Sequence, residues 1–126
     1  MAFTCPDCLV SGTLTLTDSI VLPPDSRSDD IILQSIRCRR CGFRGAAIYE
    51  ESRRGGIDSE SWDHCGYRLE KEELAELNRL IKTCPAKKDM GCDCPSHRAL
   101  NKRGEHGRWQ APFEANWERS FPMRRS

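Results

Sequence analysis

Two short cysteine pairs, Cys5-Pro6-Asp7-Cys8 and Cys38-Arg39-Arg40-Cys41, restrict this chain more than any other feature. Each Cys-x-x-Cys sets two thiolates at one tight turn. Two such turns facing each other supply four sulfurs in a tetrahedron, which suits Zn(II) at Zn–S distances of about 2.3 Å. Pro6 stiffens the first turn, and Gly42 supplies the positive φ that the second needs after Cys41. A redox role for either pair would call for a surrounding βαβ pattern, which the sequence lacks. Cys5, Cys8, Cys38 and Cys41 therefore read as a closed structural site with no position left for substrate, and the pattern is that of a zinc ribbon.

The 126 residues allow one domain, or a ribbon with an appended module. With 37% hydrophobic and 31% charged residues, apolar burial alone leaves such a chain marginal. Zinc offsets this, because apparent binding energies on the order of 10–16 kcal/mol enter directly as folding energy. Eight cysteines, no charged start leading into an apolar run, and no long apolar stretch favour thiols kept reduced for metal ligation. The expectation is a cytoplasmic protein without a signal peptide or membrane span. Net charge is +1, and residues 1–100 are nearly balanced, while 101–126 hold six basic and three acidic groups. That gives little long-range positive field for steering a polyanion.

Between the two cysteine pairs, Thr13-Leu14-Thr15-Leu16-Thr17 and Ile31-Ile32-Leu33-Gln34-Ser35-Ile36 read as strands, separated by a loop containing Pro23-Pro24-Asp25. Phe43 to Tyr49 supplies a third. The stretch from Asp30 to Arg44, with Cys5-Pro6-Asp7-Cys8 upstream, resembles the second half of the zinc finger in the ZPR-type family. It is similar, more distantly, to the C-terminal ribbon of transcription elongation factor IIS. The resemblance covers about the first 48 residues and implies binding to protein partners or to transcription and translation machinery. The adjacent acidic pair of the elongation factor has no counterpart at a loop tip here, since Asp29-Asp30 falls at a strand start.

Residues 50–69 read as a polar connector turning at Gly55-Gly56, with Arg53-Arg54 either a solvated strand end or an anion contact. Residues 70–83 are the clearest helix: Leu74, Leu77, Leu80 and Ile81 share one face, Glu70, Glu72 and Glu73 sit at the positive end, and Pro85 follows.

A second constellation follows the helix. Cys84, Cys92 and Cys94, with His97 three residues on, can close around one tetrahedral ion, so a second Zn(II) is expected. His97 is the nearest fourth ligand. Cys65 is the alternative, with His64 competing beside it, and if Cys65 ligates the four thiolates could hold an iron–sulfur cluster instead, although nothing in the sequence calls for redox work. Three thiolates with a bound water, and Asp89 or Asp93 as base, would instead make a catalytic zinc, though such a donor set acidifies water poorly.

The tail mixes Arg and Lys with Trp109, Phe113, Trp117 and Phe121. It is either wrapped on the domain or ordered on a partner, with Trp109, Trp117 and Phe121 as protein contacts.

The expected architecture is a small metal-stabilised α+β chain: a three-stranded antiparallel zinc ribbon over 1–49, a connector, one helix and second Cys/His cluster over 50–104, and a basic aromatic tail over 105–126. The expected function is a non-enzymatic zinc-binding adapter or accessory protein acting through protein contacts. The alternative is a nucleic-acid-binding ribbon using Arg37, Arg39, Arg40 and Arg44, and the third is a metal-dependent enzyme at the second cluster.

Overall fold

In the computed structural model, residues 2–53 and 61–124 are described. The chain is a small α+β structure built on one six-stranded sheet. Its strands are β1 (Ala2–Phe3), β2 (Leu14–Leu22), β3 (Asp30–Cys38), β4 (Arg44–Ser52), β5 (Ser61–Arg68) and β8 (Ser120–Pro122). They lie in the order β1-β2-β3-β4-β5-β8, and every neighbouring pair is antiparallel. Helix α1 (Lys71–Thr83) covers one face. A short helix α2 (Pro95–Leu100) follows, then a two-stranded ribbon of β6 (Lys102–Arg103) and β7 (Trp109–Gln110) with a 3-10 turn at Glu105–Gly107 between them.

The expected three-stranded ribbon is thus the centre of a larger sheet that draws on residues 1–49, 50–104 and 105–126 alike. Residues 61–68, expected as polar connector, are a full strand paired residue for residue with β4. They carry no continuous apolar run because their stabilisation is cross-strand and aromatic: Tyr49 stacks on Trp62 at 6.4 Å and meets His64 edge-on at 5.6 Å. Within β5, Gly66 makes room for the tip of the Phe121 ring, which an added Cβ would approach to 2.4 Å. Arg54, the Gly55-Gly56 turn and Arg125 lie outside the described residues.

The sheet has two cores. On the helix side, Ile20, Leu22, Ile31, Leu33, Ala46 and Ile48 pack against Leu74, Leu77 and Ile81 of α1. On the opposite side, Phe3, Leu14, Ile36, Phe43, Ala47 and Phe121 surround Cys5 and Cys38. Strand β2 serves both. Leu14 pairs with Cys38 and Leu16 with Ile36, but Asp18 pairs with Ser35, so Thr17 is an extra residue opposite no partner. This bulge reverses the alternation. Leu14 and Leu16 therefore face one core, and Ile20 and Leu22 face the other, although all four sit at even positions. Thr17 stays in place through its hydroxyl, 2.7 Å from Ser35 Oγ and donating to the Ser35 carbonyl at 3.1 Å.

Helix α1 begins where Glu70 turns its N–H onto Glu73 Oε1 at 3.0 Å. The same Glu73 carboxylate takes both its oxygens to Arg119 Nη1 at 2.9 Å, which ties the tail onto the helix. Arg53 is ion-paired to Asp30 at 2.6 Å and Glu51 at 3.0 Å, which makes it an anchor of the strand ends.

The tail is fastened a second time through buried Asp25. Its Oδ1 accepts from the amides of Arg27 (2.8 Å) and Ser28 (2.7 Å), and its Oδ2 from the Trp109 amide (2.7 Å). Burial alone would raise its pKa, yet these three N–H groups and the nearby Arg108 charge outweigh it and hold the carboxyl below its ordinary value.

Candidate metal centres

Two loops of identical backbone design shape the first centre. The Leu9 N–H returns to the Cys5 carbonyl at 3.0 Å, and the Gly42 N–H returns to the Cys38 carbonyl at 3.1 Å. Both closing residues have positive φ, +80° at Gly42 and +60° at Leu9. Leucine takes that conformation at a steric cost, and its side chain is 75% exposed. The loops project Cys5, Cys8, Cys38 and Cys41 toward one point, with Cys5 Sγ 3.6 Å from Cys41 Sγ and Cys8 Sγ 3.8 Å from Cys38 Sγ. All four sulfurs lie within 4.8 Å of one another. A tetrahedron with metal–sulfur bonds of about 2.3 Å has edges of about 3.8 Å, so this donor set fits such an ion.

Backbone amides complete the site. Asp7 N approaches Cys5 Sγ, and Arg40 N and Cys41 N approach Cys38 Sγ, each at 3.4 Å. At Cys38, burial opposes ionisation, but these amides and the Thr13 hydroxyl prevail and hold the thiol down at about 6. Burial pushes Cys5 up to about 12.

The second centre is assembled at the end of α1. Cys84 is that helix's C-terminal cap, and Cys94 is the N-terminal cap of α2, whose Sγ accepts from the His97 amide at 3.3 Å. Pro95 at the first helical position fixes the entry into α2. This helix, absent from the expected elements because it is only six residues long, turns His97 inward, where it is 2% exposed. His97 Nδ1 lies 3.1 Å from Cys84 Sγ and 3.5 Å from Cys94 Sγ, and Cys84 Sγ lies 4.0 Å from Cys92 Sγ. The four donor atoms are all within 4.8 Å of one another. The other ring nitrogen, Nε2, is 2.9 Å from the Val21 carbonyl, which can only accept. Nε2 therefore carries the proton, and in the neutral ring Nδ1 presents its lone pair to the sulfurs. Such a carbonyl partner is what orients a metal-bound histidine. The His97 amide holds the Cys94 thiol down at about 6, whereas burial pushes Cys84 up to about 11.

Cys65, the alternative fourth ligand, is elsewhere. It sits on β5, three strands from β2, whose edge carries the second centre; three strand spacings of about 4.8 Å separate them by about 14 Å. Its thiol lies 3.7 Å from the carbonyls of Gly66 and Phe121. His64 is turned to Gln34 Oε1 at 2.7 Å. The candidate bases are engaged as well: Asp93 Oδ1 meets Arg98 Nε at 3.1 Å, and Asp89 Oδ1 accepts from the Gly91 amide at 2.9 Å.

Of the tail aromatics named as partner contacts, Phe121 is buried against Phe43 at 5.4 Å, and Trp109 donates from Nε1 to the Leu100 carbonyl at 2.8 Å. Trp117 is 82% exposed. No helix among the described residues is long and apolar enough to cross a membrane.

Sequence reasoning passed over two lysines. Arg37 and Arg44 are direct register partners on β3 and β4, and Lys71 and Lys82 of α1 line the same concavity. The signal was present: a hairpin closing between Cys38 and Phe43 makes 37 and 44 opposite, and positions 71, 78 and 82 recur on one helical face.

Compared with protein-family models, curated proteins and solved structures, the chain matches none.

Proposed function

We propose that this chain is a non-enzymatic adapter or accessory protein whose fold is held by two structural Zn(II) ions. Cys5, Cys8, Cys38 and Cys41 bind one, and Cys84, Cys92, Cys94 and His97 bind the other. The supporting observation is that each set provides four protein donors at the spacing of a filled tetrahedron, which leaves no coordination position for water or substrate. The Val21 carbonyl behind His97 gives the second set the orienting partner of a structural ligand. Metal at these points adds to the packing that joins the start of the chain to β3, and the end of α1 to α2.

The ribbon-like knuckles keep the resemblance to the ZPR-type finger as part of this reading, with a protein partner as its implication. Exposed Leu9 and Trp117 are available for such a contact. A nucleic-acid role, the second reading, is favoured by one observation, the meeting of Arg37 and Arg44.

Native mass spectrometry of the purified chain tests the metal reading. Two zinc ions per chain are expected, released together with loss of the folded charge-state distribution when a chelator is added. A single metal, iron in place of zinc, or a fold unchanged by chelation would overturn it.

A further inference from the structure

Arg37 and Arg44 face each other across the β3–β4 ladder, on the side of the sheet that carries α1. Like charges directly opposite on antiparallel strands repel. Both are exposed, and among the described residues neither has an ion-pair partner. Helix α1 adds Lys71 and Lys82 to the same concavity, whose volume is about 390 Å³. Lys71 is the first residue of α1, between Glu70 and Glu72, and Lys82 lies in its last turn, where the helix dipole favours a cation. The acidic group of the lining, Asp18, is directed to Lys87 at 3.9 Å. Thr17 and Arg37 continue this concavity into a second, of about 520 Å³, that runs over the Cys38–Cys41 knuckle past Arg39 and Arg40. Arg39 is partly occupied by the Gly12 carbonyl at 2.8 Å.

Arg37 and Arg44, held opposite each other against cross-strand repulsion, are stabilised when an anion joins them. The anion must reach several of the lining cations at once, from the end of α1 to the knuckle, which a single small ion cannot do. A phosphodiester backbone carries such a succession of negative charges. The lining residues include no aromatic ring on which an unpaired base could stack, which directs the choice to duplex rather than single-stranded nucleic acid.

We propose that the groove formed by Arg37, Arg44, Lys71 and Lys82, extended by Arg39 and Arg40, binds the sugar-phosphate backbone of duplex nucleic acid without base readout. This rests on the non-catalytic, zinc-held reading of the module and adds a partner class to it. Contact with about four phosphates gives a log–log salt slope of about −3.6, at roughly 0.9 for each phosphate neutralised.

The test is fluorescence anisotropy of the metal-replete full chain with labelled 20-base-pair DNA and RNA duplexes between 50 and 200 mM salt. The expected result is sequence-independent binding of at least one duplex with that slope. The double variant Arg37→Ala/Arg44→Ala should bind at least tenfold more weakly at 100 mM salt, with the slope shallower by about 2. Its zinc content and melting temperature should be unchanged or higher, since the substitution removes a repulsion. A control with two exposed cations outside the groove removed, Arg79→Ala/Arg98→Ala, should bind as the parent does. Three results overturn the proposal: no duplex binding by a chain that carries both metals, equal loss in the control, or equal affinity for a polyglutamate peptide of the same charge, which would make the groove an acidic-protein site. Failure of the metal reading is seen separately, as a chain that lacks zinc before any oligonucleotide is added.

Discussion

His97 joins the second cysteine cluster to the sheet: its Nε2 donates to the Val21 carbonyl at 2.9 Å while its Nδ1 lies among the sulfurs. The Val21 amide meanwhile donates to the Lys87 carbonyl at 2.7 Å. Strand β1 pairs only with residues 14 and 15, and farther along the outer edge of β2 the cysteine-rich loop and His97 take up both backbone groups of Val21. An uncovered edge is a template for pairing with another chain.

The substitution His97→Ala should therefore do two things at once. Native mass should fall by one metal ion, and hydrogen exchange at the Val21 amide should accelerate, with light scattering rising at micromolar protein as free edges associate. A variant that keeps two metals would place the fourth ligand elsewhere.

At the first centre, Cys8→Ala should release the metal and loosen the core around Phe3, Phe43 and Phe121, because Cys5 and Cys38 are buried within that cluster. Binding of a hydrophobic dye and loss of near-ultraviolet dichroism are the measurements. Unchanged metal stoichiometry would contradict the assignment.

Leu9 and Gly42 close equivalent loops with unequal chemistry. Replacing Leu9 with glycine relieves a left-handed conformation that costs about 1–2 kcal/mol in an L-residue, against the greater chain entropy of glycine. Leu9→Gly should be neutral to stabilising by about 1 kcal/mol. Gly42→Ala should destabilise, although nothing lies within 4 Å of the added methyl, because φ is +80°. Thermal melts of the two metal-loaded variants check the contrast in sign.

Asp25→Asn should cost about 1–3 kcal/mol, since it weakens a buried acceptor of three amides. The native pKa of Asp25 is depressed, so its contribution is fully present above the ordinary carboxyl value near 3.8 and is lost as pH falls through the lower native value. Denaturant titrations of parent and variant should differ most above pH 4 and converge in acid. A constant difference down to pH 2 would remove Asp25 as the source.

Reversing one member of the facing arginine pair, as Arg44→Glu, converts repulsion to attraction across the ladder. A gain of about 0.2–1 kcal/mol is expected in denaturant melts. A loss of stability would mean that the two guanidinium groups are already screened from each other.

Local spacing made part of this arrangement readable in advance. Each Cys-x-x-Cys is one turn, and the apolar stripe of residues 74, 77 and 81 is one helix face, so neither needs knowledge of a distant partner. Strand β5 and the three residues of β8 were illegible because their stability comes from β4 and from the Phe121 ring seated on Gly66, both remote in sequence. Helix α2 is too short to show a period. The choice of His97 over Cys65 could be argued from closeness in sequence, but the carbonyl that sets its tautomer belongs to a residue 76 positions away. The meeting of Arg37 with Arg44 follows from the hairpin register between Cys38 and Phe43.

The extra residue in β2 also bears on how the chain could change length. Leu14, Leu16, Ile20 and Leu22 meet two different cores only because Thr17 is counted on one strand and not on the other. Excising Thr17 would straighten the ladder and leave all four side chains on their present faces, at the loss of its bonds to Ser35. Excising Thr15 or Val21 would instead set Leu14 beside Leu16, or Ile20 beside Leu22, and force one of the two out of its core. Between these four core positions, single-residue deletion is tolerated only in the stretch from Thr17 to Ser19.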